Sequence, residues 1–272
     1  VGVNGVFGTR LATMIERSGG LPIRIEAPWG ATIPIEALEQ ELARSAPVKA
    51  LVLVHAETST GALQPLEDVG ALCRAHDALL IVDAVTSLGG IPVEVDTWGI
   101  DACYSGTQKC LSCPPGLAPL TVSPRGMGVI RQRRAPCHSW YLDLSLIADY
   151  WNDHSRAYHH TAPISMLYGL REALRLVHEE GLPARAARHQ VNSDALMSGL
   201  RTLGLSPLPP PGHRLPMLNC VTLPDGIDEA MMRTQLLQQY GIEIGGGLGP
   251  LRGRVWRIGL MGASSTPRLI LL

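Results

Sequence analysis

The chain has 272 residues, which is long enough for one large α/β domain and a smaller second one, each with a buried core. Hydrophobic residues make up 46% of it and charged residues 17%, a composition that argues against a disordered chain. With a net charge of −1 and no apolar run of the ~18 residues that a membrane span needs, neither nucleic-acid binding through a global field nor membrane insertion is expected.

The first two thirds of the chain predict alternating helices and strands. Helical patterns cover residues 4–18, "PIEALEQELA" and "PLEDVGALCRAHD", and we expect the third of these helices to start at Pro65. Strand patterns occur in "LPIRIEA", "KALVLVHAE", "ALLIVDAVTS", "DACYSGTQK" and "LAPLTVSP". Apolar strands that alternate with helices predict a mainly parallel sheet covered on both faces, and therefore an α/β fold.

The pattern changes after about residue 140. Two long helical segments, "LYGLREALRLVHEEGL" and "ARAARHQVNSDALMSGLRTLGL", precede the proline-rich "SPLPPPGHRLPM". A strand in "NCVTLP", a helix over 227–240 and strands in "IEIGG" and "RVWRIGLMG" follow. We therefore predict a large domain over residues 1–180 and a smaller α+β domain over 181–272.

Three polar segments stand where predicted strands end: "HAETSTG" (55–61), "DAVTS" (83–87) and "SGTQK" (105–109). Ligands of parallel α/β sheets bind beyond the carboxyl ends of the strands. These segments are therefore expected to meet at one cleft.

Lys109 is unusual because the chain has only one other lysine, Lys49, against 21 arginines. A lysine amine can become neutral and nucleophilic, whereas an arginine stays protonated. Asp83 follows the apolar "LLIV", so its carboxylate needs a partner: a helix cap, a buried salt bridge or a cationic ligand atom. Taken together, Asp83 and Lys109 indicate pyridoxal phosphate, whose aldehyde binds an amine as a Schiff base and whose ring nitrogen favours a carboxylate. Thr107 and Gln108 are candidate donors to its phosphate.

Several segments resemble one enzyme family across nearly the whole chain. They are "VHAETSTGALQP", "LLIVDAVTSLGG", "DACYSGTQKCLSCPPG", "YHHTAPISMLYGLRE" and "RVWRIGLMG". In this order they are similar to the serine–pyruvate/alanine–glyoxylate aminotransferases, which are class V, fold type I pyridoxal phosphate enzymes. The resemblance implies a homodimer with shared active sites, small amino acids and 2-oxo acids as substrates, and a peroxisomal or mitochondrial location in animals.

The resemblance also implies a role for each matching residue. Lys109 would form the Schiff base and move the α-proton, while Asp83 would pair with the ring nitrogen. The remaining matches would contact the cofactor or the substrate: Thr58 and Val85 at the cofactor, Gln108 at the phosphate, Tyr158 and Thr161 at the phosphate of the neighbouring subunit, and Arg257 at the substrate carboxylate.

Other functions are also compatible with these residues, and some features of the family are not matched in this sequence. Another class V chemistry, of the cysteine desulfurase or kynureninase type, and a non-catalytic truncated remnant both stay open. Cys110 and Cys113 have the spacing of a metal or redox pair, but we expect two small core or loop residues, with "RQRRAPCH" (131–138) as a solvated basic loop. The family's phosphate loop and ring-stacking aromatic are expected in an N-terminal segment outside this chain, and its final helix is likewise expected beyond the last residue. We therefore expect these residues alone to bind the cofactor weakly or to fold poorly.

Overall fold

The computed structural model describes residues 1–151 and 157–271. The strands are β1 Gly2–Val3, β2 Ile25–Glu26, β3 Ala50–Val54, β4 Ala56–Glu57, β5 Ala62–Leu63, β6 Leu79–Asp83, β7 Ala102–Tyr104, β8 Leu120–Val122, β9 Ser206–Pro207, β10 Leu218–Thr222, β11 Gly245–Gly246 and β12 Val255–Gly259. The helices are α1 Val6–Arg17, α2 Ile35–Arg44, α3 Val69–Ala75, α4 Pro124–Arg131, α5 Leu144–Tyr150, α6 Ile164–Glu180, α7 Leu182–Thr202, α8 Glu229–Tyr240 and α9 Pro267–Ile270.

The four-stranded sheet that carries the predicted site has the order β3-β6-β7-β8. Strands β3, β6 and β7 run parallel, and β8 is antiparallel to β7. Alternate side chains of the apolar strands enter two clusters on opposite faces: Leu51 and Leu53 join Leu80 and Val82 in one, whereas Val52 and Val54 join another. The predicted mainly parallel α/β sheet is confirmed, and its strand ends lie side by side.

A second four-stranded sheet, with the order β11-β12-β10-β9, is antiparallel throughout. Its central pair places Arg257 between Gly245 of β11 and Cys220 of β10. This sheet lies within the predicted small domain. The predicted boundary near residue 180 falls at Gly181, which separates α6 from α7 with a φ of 79°. A boundary at this glycine stays our proposal.

Two expectations about helices differ from the structure. Helix α3 begins at Val69 and not at Pro65. The side chain of Gln64, directly before Pro65, bonds to the backbone N–H and carbonyl of Ile33, so tertiary contacts hold the chain just ahead of the helix. Helices α4 and α5 were not predicted, although Ser123 and Pro124 carry a recognisable start signal, a cap followed by a proline at the first helical position. The basic segment after Arg131 is a loop, as expected. Among the described residues, no helix has both the length and the apolar character of a membrane span.

Candidate active site

Asp83 is the last residue of β6 and lies between the ends of the two neighbouring strands. It pairs in register with Val54 of β3 and Tyr104 of β7. One carboxylate oxygen accepts a hydrogen bond from the backbone N–H of Val85 at 2.9 Å, and the other accepts one from the Tyr104 hydroxyl at 2.7 Å. Burial raises the pKa of Asp83 in spite of these bonds. The aspartate is therefore a buried acceptor that a nearby cation would stabilise.

An aromatic ring and a guanidinium lie at the same end of the sheet as this carboxylate. Phe7 is half-buried at the start of α1 and packs in the same cluster as Tyr104. The guanidinium carbon of Arg10 lies 5.0 Å from the Phe7 ring centroid. Burial raises the pKa of Asp83, and the positive charge of Arg10 offsets part of that rise. The stacking aromatic was expected outside this chain. Phe7 supplies an aromatic ring at this end of the sheet that the sequence analysis overlooked.

Lys109 lies in a loop that hydrogen bonds of its own backbone hold in place. Its carbonyl accepts from the N–H of Ser112 at 2.9 Å, and the N–H of Cys113 donates to the carbonyl of Thr107 at 3.0 Å. The Ser105 hydroxyl donates to the carbonyl of Ala84 at 3.1 Å, which ties the loop after β7 to the loop after β6. The half-buried amine of Lys109 makes no ion pair or hydrogen bond with any described residue. An unengaged amine on an anchored loop suits covalent chemistry.

Arg257 reaches the same region from the antiparallel sheet. Its Nε donates to the carbonyl of Gly246 at 2.8 Å, and one Nη donates to the carbonyl of Thr58 at 3.3 Å. Thr58 is buried, and burial lowers the pKa of Arg257. Because carbonyls leave part of the guanidinium charge uncompensated, Arg257 is suited to bind an anion beside Thr58.

Glu57 has a structural role that the sequence analysis missed. Its carboxylate is fully buried and accepts from the N–H groups of Phe7 at 3.0 Å and Gly8 at 3.2 Å, while Ser59 accepts from the N–H of Val6 at 2.9 Å. These bonds cap α1, whose own N-cap residue, Gly5, has no side chain to do so. The first-turn amides of α1 are thus engaged by the protein and not free for a phosphate.

Of the two predicted phosphate donors in the Lys109 loop, Thr107 differs from expectation and Gln108 does not. Thr107 is fully buried, and its hydroxyl donates to the carbonyl of Pro114 at 2.7 Å, so it is not free to donate elsewhere. Gln108 is exposed beside Lys109 and stays a candidate. Val85 is half-buried directly after Asp83, where its side chain can pack against a ring.

Tyr158 and Thr161 lie apart from the chain's own strand ends. Tyr158 is 75% exposed, and its hydroxyl lies 3.0 Å from that of Thr161. No hydrogen bond among the described residues links this pair to Lys109 or Asp83. Their predicted role in the site of a second subunit is compatible with this exposure and stays a prediction.

The cysteines near Lys109 are poorly suited to act as nucleophiles. Cys110 is fully buried and Cys113 is 6% exposed, which agrees with the expected core or loop role. Burial raises the pKa of the Cys110 thiol to about 11, so that little thiolate forms at neutral pH. A desulfurase mechanism through either cysteine is therefore disfavoured.

The arrangement fits pyridoxal phosphate at the ring end of that cofactor. Asp83 offers a buried carboxylate that needs a cationic partner, Lys109 offers an amine, and Phe7 and Val85 offer apolar surface. The phosphate end is less complete, because the α1 amides and Thr107 are engaged. Gln108, with Tyr158 and Thr161 of a second subunit, is the donor set that stays predicted.

His55 follows β3, and its backbone N–H donates to the carbonyl of Asp83 at 3.0 Å. It is 3% exposed, its Nδ1 has no partner among the described residues, and burial lowers its pKa from 6.5 to about 4. Between these pH values the unfolded chain binds a proton that the folded chain does not. Stability is then complete above pH 6.5 and is lost as the pH falls towards 4. The shift corresponds to about 3 kcal/mol.

Urea unfolding at a series of pH values measures this effect. We expect His55→Leu to show a shallower loss of stability than the parent protein between pH 6.5 and about 4. The same change at the exposed His138 is the control and should leave the slope as it is. Equal slopes for the parent and His55→Leu would contradict a neutral buried His55.

Known proteins resemble this chain over most of its length. The sequence model of the class V aminotransferases matches residues 10–251. The chain is 42% identical over 269 residues to the alanine–glyoxylate aminotransferase of Callithrix jacchus, with 98% of this chain and 65% of that protein covered. It is also 42% identical over 280 residues to the (S)-ureidoglycine–glyoxylate transaminase of Bacillus subtilis, with 96% and 67% covered. The chain therefore spans about two thirds of the length of these curated relatives.

A solved structure shows the same fold. The crystal structure of an alanine–glyoxylate aminotransferase from Nostoc sp. superposes with a TM-score of 0.95 at 48% identity, covering 99% of this chain and 71% of that one. The fold type I architecture predicted from the sequence is thereby confirmed.

Proposed function

Because the chain belongs to the class V aminotransferases, a family of pyridoxal phosphate enzymes, we propose that it transfers an amino group from alanine or serine to glyoxylate or pyruvate. The observation that carries this proposal is the reach of Arg257 from the antiparallel sheet to the carbonyl of Thr58. That contact brings a carboxylate-binding cation to the strand ends that hold Asp83 and Lys109. An amine, a ring-binding carboxylate and an anchor for the substrate carboxylate are what amino transfer requires.

Each residue has a separate task in this proposal. Bound pyridoxal phosphate supplies an aldehyde that binds amines covalently and a ring that accepts electrons from the substrate Cα–H bond. The Lys109 amine would hold the cofactor and, when free, would accept the Cα proton of the substrate. Asp83 keeps the ring nitrogen protonated, and Arg257 orients the substrate through its carboxylate. The donor amino acid leaves as a 2-oxo acid, and the acceptor oxo acid leaves as an amino acid.

Glyoxylate is the acceptor that the relatives favour. Both curated relatives are named for transfer to glyoxylate, although one is named for alanine as donor and the other for ureidoglycine. We therefore propose glyoxylate as the acceptor, with pyruvate as the alternative. Alanine or serine is the donor that follows from the sequence resemblance.

A homodimer completes the proposal. Tyr158 and Thr161 are exposed and would serve the partner's site, where their hydroxyls can donate to a phosphate. Peroxisomal or mitochondrial residence, which the resemblance implies for animal relatives, belongs to the same set of proposals.

The test follows the visible absorption band of the protein after addition of pyridoxal phosphate. Alanine is expected to remove the band and glyoxylate to restore it, with pyruvate and then glycine released in equal amounts. Serine in place of alanine, and pyruvate in place of glyoxylate, rank the substrates in the same assay. Formation of a persulfide on the protein after addition of cysteine, with no response to alanine, would instead support a desulfurase.

A further inference from the structure

Arg185, near the start of α7, is the largest side chain in the fully buried core. It is 2% exposed, and its Nη1 lies 2.6 Å from a carboxylate oxygen of Glu180. A buried guanidinium needs partners for its remaining N–H groups, since an unpaired buried charge is strongly unfavourable. The acceptors of those N–H groups identify the segments that Arg185 connects.

The remaining donors of Arg185 reach two backbone loops of the active site. Its Nε donates to the carbonyl of Gly89 at 2.9 Å, and its Nη2 donates to the carbonyl of Cys110 at 2.7 Å. Gly89 lies in the loop that follows Asp83, and Cys110 is the residue after Lys109. One planar guanidinium thus contacts the loops that carry both of the residues proposed to hold the cofactor.

The same helix corner also contacts the turn that follows the Arg257 strand. The Glu180 carboxylate pairs with Arg188 at 2.5 Å, and an Nη of Arg188 donates to the carbonyl of Gly262 at 3.0 Å. The N–H of Ala263 donates to the hydroxyl of Ser112 at 2.7 Å, directly joining this turn to the Lys109 loop. Gly262 is three residues beyond β12, so the network spans all three parts of the site.

We propose that Arg185 is a positioning residue that sets Lys109 relative to Asp83. This inference rests on the proposed aminotransferase function. Its donors bond to the backbone carbonyls of Gly89 and Cys110, so the side chain would act on the site through these two loops. An ion pair needed only for folding would be satisfied by Glu180, whereas this guanidinium divides its donors between both catalytic loops. The geometry of proton transfer is sensitive to small displacements of Lys109, so loosening the loop should slow turnover more than it weakens substrate binding.

Arg185→Met and Arg185→Lys test this role, with Arg175→Met as the matched control. Arg175 is exposed on α6 and pairs with Glu172 and Glu179, so its replacement removes an arginine–glutamate pair outside the site. For Arg185→Met we expect kcat to fall about 10- to 100-fold with a smaller change in KM, as the loss of charge-assisted hydrogen bonds predicts. The pH midpoint of the bound cofactor's absorption band should shift as well. Arg175→Met should leave all three quantities unchanged.

Hydrogen exchange of the cofactor-free protein gives a readout that does not depend on turnover. Arg185→Met should speed amide exchange in residues 105–113 and 86–91 while the β10–β12 strands keep their protection. Arg185→Lys keeps a charge for Glu180 but has no fork to reach two carbonyls, so it should recover stability and not kcat. If Arg185→Met does not fold, Arg185→Lys is the variant that tests the proposal.

The outcomes separate the two proposals. A parent protein that binds pyridoxal phosphate but transfers no amino group from alanine or serine to glyoxylate or pyruvate would refute the proposed function, and the exchange experiment would still judge the loop contacts. If the parent enzyme transaminates but Arg185→Lys keeps its kcat, absorption midpoint and loop protection, then Arg185 is not a positioning residue.

Discussion

Lys109→Ala is expected to abolish amino transfer, with the rate falling by at least about 10²–10⁴-fold from the loss of proton transfer alone. The variant also loses the only amine near the strand ends, since the other lysine in the chain is Lys49. The fold should survive, because the loop is held by its backbone bonds and by Ser105 and not by the lysine side chain. Turnover of alanine and glyoxylate measures the loss of amino transfer. Borohydride reduction of the cofactor-loaded protein, followed by peptide mass analysis, measures the loss of the amine that binds the cofactor.

Lys109→Arg separates the need for charge from the need for an amine. Arginine keeps the positive charge but cannot supply a neutral nucleophile, so this variant should be as inactive as Lys109→Ala. Lys49→Ala is the matched control, because Lys49 is exposed and is the only other lysine. If Lys109→Arg keeps turnover, or if borohydride attaches the cofactor to Lys49, the assignment of Lys109 is wrong.

The sequence predicted the sheet and the residues at its strand ends because both depend on local patterns. The apolar runs that precede Asp83 and His55 are long enough to identify buried strands. Parallel strands must end at one edge, so Asp83 and the Lys109 loop were expected together without knowledge of their contacts. The structure adds the register that sets Val54, Asp83 and Tyr104 side by side.

The contacts that the sequence did not reveal join residues far apart in the chain. Glu57 caps α1 across 49 and 50 residues, Arg185 reaches Gly89 across 96, and Arg257 reaches Thr58 across 199. Helix-capping motifs are recognised from residues close together in the sequence. Hydrophobic periodicity does not predict which arginine donates to the carbonyl of a distant residue. The cap of α1 was therefore invisible, although Glu57 stands in a segment already singled out as polar.

Asp83→Asn is expected to separate catalysis from stability. The amide keeps the size of the carboxylate and can still bond Tyr104 and the N–H of Val85, but it cannot balance a protonated ring nitrogen. Loss of such preorganised electrostatic stabilisation should lower kcat about 10²–10³-fold. Without cofactor, however, the variant should be more stable than the parent at pH 7, because burial makes the ionised form of Asp83 unfavourable.

The pH dependence of that stability gain has a definite sign. Burial raises the folded pKa of Asp83 above 3.8, so the parent protein loses stability as the pH rises from 3.8 through the folded value. The advantage of Asp83→Asn should therefore be present at pH 7 and vanish below about pH 4, which urea unfolding of the cofactor-free proteins measures.

Asp101→Asn is the matched control for Asp83→Asn, because Asp101 is also buried. Unlike Asp83, it forms a salt bridge with Arg125 at 3.0 Å, and it accepts a hydrogen bond from the N–H of Leu80 at 2.9 Å. It should lose stability at pH 7 and keep its turnover per folded molecule, the reverse of Asp83→Asn. Turnover retained by Asp83→Asn would show that the carboxylate is a structural acceptor for Tyr104 and not the partner of a cationic ring. A loss of stability at pH 7 as large as that of Asp101→Asn would show that its buried charge is already balanced by the protein.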